Sequence, residues 1–176
     1  MIPGFLISLL TFPGVIVHEA AHMLFCRLRR VAIFDACFFR LGNPAGYVVH
    51  EVCPDFTSIF LISTGPFIVN SILCIFFCLP AMIPFSEFGQ RRPLDYFLLW
   101  IGLSIGMHAF PSTGDANVLW RSAKSALHRR RPLAIVSFPL VVVIYVANLL
   151  RFFWIDYAYG FAIGIGLPTL LLNRFA

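Results

Sequence analysis

Three ionisable side chains interrupt an apolar stretch near the start of the chain, namely His18, Glu19 and His22 in the segment HEAAH. In a helix, residues four apart project from one face about one turn apart, so the two histidines can bind a single metal ion. Glu19 can then reach a water molecule on that metal. The HExxH spacing therefore predicts a zinc site. The alternative is a polar contact between helices without metal.

A third protein ligand must come from elsewhere, because catalytic zinc sites usually combine three protein ligands with one open position. The candidates are Asp115, His108, His50, Glu51 and His128. Asp115 is favoured, because the apolar segment before it should end at the same membrane depth as the histidine pair. Its alternative role is to cap the helix that follows. His108 is expected to be a core histidine hydrogen-bonded to a neighbouring carbonyl, and its functional alternatives are to orient substrate or to replace Asp115 as ligand. The other three are expected at the surface.

The composition indicates a membrane protein. Apolar residues make up 60% of the 176 residues and charged residues only 12%, against about 25% charged in soluble domains. The formal net charge is +5, but the basic residues lie in short clusters beside apolar runs, which is typical of contact with lipid headgroups rather than nucleic acid. The five cysteines form no CxxC pair, so we expect neither disulfides nor a cysteine metal site.

The apolar runs predict an all-α polytopic protein with four or five transmembrane helices in a single domain, residues 1–176. A membrane-spanning helix needs about 20 apolar residues, and runs near that length cover residues 4–27, 57–84, 94–111, 133–150 and 154–172. The last run is the weakest, because it contains Asp156, three glycines and a proline. We expect a functional core at 10–120 and accessory spans at 133–172.

Basic residues predict the orientation of these spans, because they concentrate in cytoplasmic loops. With the N-terminus outside, the cytoplasmic side receives ten of them: Arg27, Arg29, Arg30, Arg40, Arg121, Lys124, Arg129, Arg130, Arg131 and Arg174. The outer side receives Arg91, Arg92 and Arg151. We therefore expect a plasma-membrane protein whose active site lies near the cytoplasmic side and whose C-terminus, after five spans, is inside.

Two shorter segments predict structure on the cytoplasmic side. Residues 31–52 carry β-branched and aromatic runs around the turn sequence GNPAG, which indicates a β-hairpin. Residues 115–131 place Val118, Leu119 and Ala123 at helical spacing, with basic residues mostly on the other face. This pattern is typical of an amphipathic helix at the membrane interface. A solvated loop held by lipid phosphates is the alternative.

Together these motifs resemble the site-2 protease family of intramembrane zinc metalloproteases. The resemblance covers roughly residues 10–120 and rests on three elements: HEAAH in an early span, the Gly-Pro segment STGPFIVN at 63–70, and a later aspartate at a span end. Two details depart from the family pattern. The chain reads TGDA where the family usually has Leu-Asp-Gly, and Asn70 follows Pro66 by four residues instead of three.

The resemblance implies an enzyme that hydrolyses a peptide bond in or near a transmembrane segment. His18, His22 and Asp115 would be the zinc ligands and Glu19 the general base. Asn70 would help to hold the peptide or the transition state, its alternative role being a hydrogen bond between helices. The hairpin would present the substrate as an added strand. The partners would be a membrane protein or membrane-bound peptide and the lipid bilayer.

Two other functions remain open from the sequence. A non-catalytic zinc transporter or sensor would spread ionisable residues through several spans to form a path, whereas here they gather at one depth. An inactive relative that binds a client helix would not need an intact HExxH motif.

Overall fold

The computed structural model describes residues 4–53, 55–87 and 92–175, and it is mostly helical with one small sheet. Across these residues the α-helices and strands, in chain order, are α1 (Gly4–Leu10), α2 (Phe12–Leu28), β1 (Ile33–Cys37), β2 (Tyr47–His50), α3 (Phe56–Glu87), α4 (Pro93–Met107), α5 (Thr113–His128), α6 (Pro132–Leu149), α7 (Ile155–Phe161) and α8 (Leu167–Phe175). A 3-10 turn, Leu150–Phe153, separates α6 from α7, and a π-helical turn, Ala162–Gly166, joins α7 to α8.

In the part of the chain that the structure describes, three helical segments are long and apolar enough to cross a membrane, which fits a membrane protein. They are Phe56–Pro84, Pro132–Phe153 and Ile155–Arg174. The sequence predicted four or five spans, and the remaining runs form shorter helices. The run at 4–27 is divided at Thr11 into α1 and α2, and the run at 94–111 gives the 15-residue α4. The run judged weakest, at 154–172, is one of the three long segments.

The predicted β-hairpin is confirmed. Strands β1 and β2 pair antiparallel, with Cys37 opposite Tyr47 and Ile33 opposite His50. The amphipathic helix is also present, as α5, which buries Ala116, Leu119, Ala123 and Ala126. Lys124 and Arg129 remain exposed.

Helices α2, α4 and α5 pack along helix α3. Arg29, just after α2, donates a 3.0 Å hydrogen bond to Ser58 at the start of α3. Further along α3, Cys78 faces Gly102 and Cys74 faces Gly106. Hence α2 and α4 both run antiparallel to α3, and α4 covers its later part.

Helix α5 continues in the direction of α4 instead of reversing it. Leu119 and Ala123 pack against the first turns of α3, at Phe56 and Phe60, far beyond the Cys74 contact made by α4. The two helices therefore form one interrupted passage along α3. The interruption, residues 109–112, lies between His108 and α5.

A second interrupted passage brings the chain back. At the end of α6, Asn148 donates to the Pro111 carbonyl, 3.2 Å away. Tyr159 then contacts Ser71 through a 2.7 Å hydrogen bond, and Gly164 lies beside Cys78. Thus α6, α7 and α8 follow α3 in the same direction, because the 3-10 turn between α6 and α7 does not reverse the chain.

This arrangement corrects the predicted placement of the C-terminal charges. The segment that ends at Arg174 runs toward the end of the bundle at which α4 begins, just after Arg92. The prediction placed Arg174 at the other end, with the basic residues that follow α2 and α5. Arg151 lines the same cavity as His18, so it does not lie across the bundle from the candidate site. Arg91 lies outside the described residues.

The start of α3 is capped and tied to α2. Asp55 accepts 2.8 Å hydrogen bonds from the backbone N–H and the hydroxyl of Ser58, as an N-cap residue does. These bonds hold the pKa of the Asp55 carboxyl below its usual range. Arg29 reaches the same carboxylate at 3.6 Å, so the end of α2 is held at the start of α3.

Gly14 allows the closest approach of α2 to α4, one turn before His18. A Cβ atom on Gly14 would overlap the Ser104 carbonyl oxygen and lie 2.6 Å from the His108 ring. We expect Gly14→Ala to lower the free energy of unfolding by about 1–3 kcal/mol, because backbone atoms cannot yield to the added methyl group. Chemical unfolding in detergent measures this change. Gly166→Ala is the control, since its nearest neighbouring atom is 4.0 Å away; equal effects would contradict the packing argument.

Candidate metal centre

The two histidines of HEAAH converge as the spacing predicted. His18 and His22 are both buried on α2, and their Nε2 atoms are 3.2 Å apart. The His18 Nδ1 atom lies 2.7 Å from the His108 carbonyl oxygen. A carbonyl can only accept, so Nδ1 carries the proton and Nε2 is free to bind a metal.

Asp115 lies beside this pair, in the first turn of α5. Its Oδ2 atom is 3.4 Å from His22 Nε2. Ser112 is the residue that caps α5, accepting from the Asp115 backbone N–H and donating to Asp115 Oδ2 at 2.6 Å. Asp115 is therefore oriented by Ser112, and it is not the helix cap.

The spacing of the three side chains fits a metal ion. One ligand atom from each of His18, His22 and Asp115 lies within 4.8 Å of the others. Two ligands at tetrahedral positions with zinc bonds of about 2.0–2.1 Å are separated by about 3.3–3.4 Å. The observed 3.2 and 3.4 Å contacts match that separation. This cluster can hold a metal ion, and its donor set of two imidazoles and one carboxylate suits zinc.

Asn70 supports the site from α3. Its Nδ2 group donates to the Ile105 and His108 carbonyls at 3.2 and 3.0 Å. The same His108 carbonyl accepts the hydrogen bond from His18 Nδ1. Asn70 is fully buried and thus fixes the end of α4, which in turn fixes the orientation of the His18 ring.

The His108 ring points to a different partner. Its Nε2 atom lies 2.8 Å from Thr11 Oγ1, and the same hydroxyl donates to the Ile7 carbonyl. The Thr11 oxygen must therefore accept from the ring. Within the described part of the chain, the cluster that can hold a metal consists of His18, His22 and Asp115. The other candidate ligands are not part of it: His108, His50, Glu51 and His128. His108 contributes its carbonyl to the site and its ring to the cavity wall.

Glu19 and His18 line a cavity of about 880 Å³. Its other walls come from residues 42–46 in the turn of the hairpin, from the α4–α5 interruption, and from the α6–α7 interruption. The turn lies directly against Glu19: a Cβ atom on Gly46 would be 2.7 Å from Glu19 Cγ. Only glycine allows this approach. Glu19 therefore borders an open cavity.

Sequence reasoning missed three supporting residues. Ser112 orients Asp115, Asn148 holds the Pro111 carbonyl of the same interruption, and Gly46 lets the hairpin reach Glu19. Asn148 carried a usable signal, because an amide inside an apolar run needs a hydrogen-bond partner. Ser112 follows a proline and precedes a helix, which is the pattern of an N-cap.

We expect Asn70→Leu to weaken both the fold and the metal site. The change removes the donor of two buried carbonyls, which should lower the free energy of unfolding by about 1–3 kcal/mol. Because His18 then loses its fixed hydrogen-bond partner, zinc affinity should fall by about 10–100-fold. Competition with a fluorescent zinc chelator measures the affinity. Asn173→Leu, at an exposed position in α8, is the control; unchanged zinc affinity in Asn70→Leu would refute the supporting role.

Comparisons with known proteins give no relative from which to assign this site. No protein-family model, curated protein or solved structure matches the chain significantly.

Proposed function

We propose that this chain is an intramembrane zinc metalloprotease of the site-2 protease type, which hydrolyses a peptide bond in or near a transmembrane segment of a membrane protein. The observation that carries the proposal is the meeting of Asp115 with the HExxH histidines, about 90 residues apart in the chain, beside a cavity that Glu19 also lines. A metal ligand set, a carboxylate next to it and an accessible cavity are the parts that metal-assisted hydrolysis requires.

Each residue has a distinct role in this proposal. His18, His22 and Asp115 hold the metal, while Asn70 and Ser112 orient the first and last of these. A zinc ion bound there supplies Lewis-acid chemistry, lowering the pKa of water and polarising a peptide carbonyl. Glu19 accepts the proton of the attacking water and donates it to the amine that leaves.

The substrate must reach the cavity in an extended form, because a helix hides its peptide groups in its own hydrogen bonds. The hairpin supports this, since its turn forms one wall of the cavity. Among the described residues its sheet has two strands, so each strand has one edge on which an extended segment can add. Glycine or proline in the substrate would ease the local unwinding. We therefore propose a membrane protein or membrane-bound peptide as the partner.

The distribution of basic residues supports the proposed orientation in a plasma membrane. The end of the bundle where α2 ends and α5 turns into α6 carries Arg27, Arg29 and Arg30 together with Arg129, Arg130 and Arg131. We assign this end to the cytoplasm. The N-terminus of α2 then faces outside, and so does the end of α8, which follows α3.

The alternative function is a non-catalytic zinc-binding membrane protein, such as a transporter or sensor. The two interrupted passages favour it, since transporters build their substrate sites at broken helices near the middle of the membrane. The position of Glu19, adjacent to a ligand and lining the cavity, favours hydrolysis.

Chelation in proteoliposomes tests the proposed function. We expect the purified chain to cleave a tagged single-span reporter whose membrane segment contains Gly-Pro, and 1,10-phenanthroline to abolish cleavage. Zinc should restore it, because the chelator removes the ion reversibly and leaves the three ligand side chains in place. Cleavage that persists in the chelator, or zinc uptake into liposomes without cleavage, would overturn the proposal.

A further inference from the structure

A second charged pair lines the cavity, apart from the metal ligands. Arg151, in the 3-10 turn between α6 and α7, and Asp156, in the first turn of α7, line the same cavity as His108. Between them, Trp154 adopts a left-handed conformation with φ of 63°, which is unfavourable for a residue with a side chain. A continuous helix would avoid this strain. The interruption is therefore a specific feature, and it places two ionisable side chains inside an apolar segment, where they are expected to serve a function.

Asp156 holds Arg151 by one edge only. The Arg151 Nε group donates to Asp156 Oδ2, and the Asp156 side chain is 8% exposed. The Arg151 side chain is 38% exposed. Its two Nη groups make no hydrogen bond or ion pair with any side chain or carbonyl in residues 4–53, 55–87 and 92–175. They form the edge with which a guanidinium binds an acceptor in a bidentate manner.

Charge balance indicates the chemical class of that acceptor. Asp156 already compensates the charge of Arg151, so a neutral acceptor leaves this wall neutral, whereas a carboxylate would add an uncompensated negative charge in an apolar setting. A peptide unwound inside a membrane offers such neutral acceptors, because its carbonyl oxygens have lost their helical partners. We propose that Arg151 binds backbone carbonyl oxygens of the unwound substrate and that Asp156 is its positioning residue. This inference rests on the proposed peptidase function.

Hydroxamate binding separates this role from that of the metal. Two probes are titrated calorimetrically into zinc-loaded protein in detergent: acetohydroxamic acid, which has only the metal-binding group, and an apolar tetrapeptide hydroxamate. We expect Arg151→Gln to lower affinity for the peptide probe about tenfold, because charged hydrogen bonds to the carbonyls are lost. Affinity for acetohydroxamic acid should stay within about twofold. Arg151→Lys should show an intermediate loss, since an ammonium group lacks the planar fork.

Control variants address charge and folding. Arg121→Gln removes one positive charge from α5, outside the cavity wall, and should bind both probes as the unmodified chain does. The double variant Arg151→Gln/Asp156→Asn avoids leaving a buried carboxylate unpaired. It should lose as much affinity for the peptide probe as Arg151→Gln does and keep its affinity for acetohydroxamic acid. Asp156→Asn alone should give a smaller loss, rescued in part by Asp156→Glu.

The outcomes distinguish this inference from the proposed function. Equal affinity of Arg151→Gln and the unmodified chain for the peptide probe would overturn the role of Arg151. Acetohydroxamic acid binding that is absent, or that survives His22→Ala, would instead overturn the metal centre. The tetrapeptide carboxamide, which needs no metal, then tests Arg151 directly. If the unmodified chain and Arg151→Gln bind this carboxamide with equal affinity, or if neither binds it, the inference is overturned.

Discussion

Purified protein should contain about one zinc ion per chain, and both His22→Ala and Asp115→Ala should lose most of it. His22 Nε2 lies 3.2 Å from His18 Nε2 and 3.4 Å from Asp115 Oδ2, so it is central to the ligand set. Removing one of three protein ligands should weaken zinc binding by more than about a hundredfold, beyond the 10–100-fold effect of a supporting residue. Elemental analysis after gel filtration in a non-chelating buffer measures the metal content.

Matched controls make this result specific. His50→Ala removes an imidazole whose Nδ1 atom lies 2.8 Å from the neighbouring Glu51 carbonyl oxygen, and Asp35→Asn neutralises a carboxylate on the hairpin. Both should retain the metal. A metal-free unmodified chain would rule out the zinc centre and favour the inactive client-binding relative. Full zinc content in Asp115→Ala would assign the third ligand to another residue.

Glu19→Gln should keep the zinc ion and lose catalysis. Glutamine has nearly the same shape as glutamate, so the packing of Gly46 against the Cγ atom is preserved. It cannot accept the proton of water, and removal of a general base typically lowers kcat by about 10²–10⁴-fold. KM should change little, because the amide still fills the same part of the cavity. Initial rates on the reporter substrate in proteoliposomes measure both constants.

The control for this prediction is Glu51→Gln, which makes the same chemical change on an exposed residue after β2. It should cleave at the unmodified rate. Peptidase activity retained in full by Glu19→Gln would assign the base to another group. Loss of zinc together with activity would show instead that Glu19 supports the ligands.

The two predictions together separate a hydrolase from a zinc-binding protein of another kind. A transporter or sensor would also need His22 and Asp115 to bind the metal ion. It would not need the Glu19 carboxylate to accept a proton from water. Retained zinc with lost turnover in Glu19→Gln is the combination specific to hydrolysis.

Several features of this protein were determined by the sequence alone, because they depend on neighbours within a few turns. The convergence of His18 and His22 follows from the i, i+4 geometry of any helix. The hairpin follows from extended runs on either side of GNPAG, and α5 follows from apolar residues at helical spacing. The overall apolar character follows from composition.

Tertiary structure decided which distant side chain lies beside the histidine pair. His108 and Asp115 are seven residues apart and border the same interruption. Their positions in the sequence therefore do not decide which of them lies beside the histidine pair. In the folded chain the His108 ring turns to Thr11, while Ser112 directs Asp115 to His22. Both choices arise from packing between α2, α4 and α5.

Tertiary structure also decided the direction of each passage through the bundle. Hydropathy measures the length of an apolar run and carries no information on whether the chain reverses after it. Between α6 and α7 the chain makes a 3-10 turn and continues along α3, so a pattern that predicted two opposed spans gives two segments with one direction. That turn places Arg151 in the cavity of the candidate metal centre. The path of the chain there is set by side-chain contacts with α3 and with the α4–α5 interruption, which local sequence does not reveal.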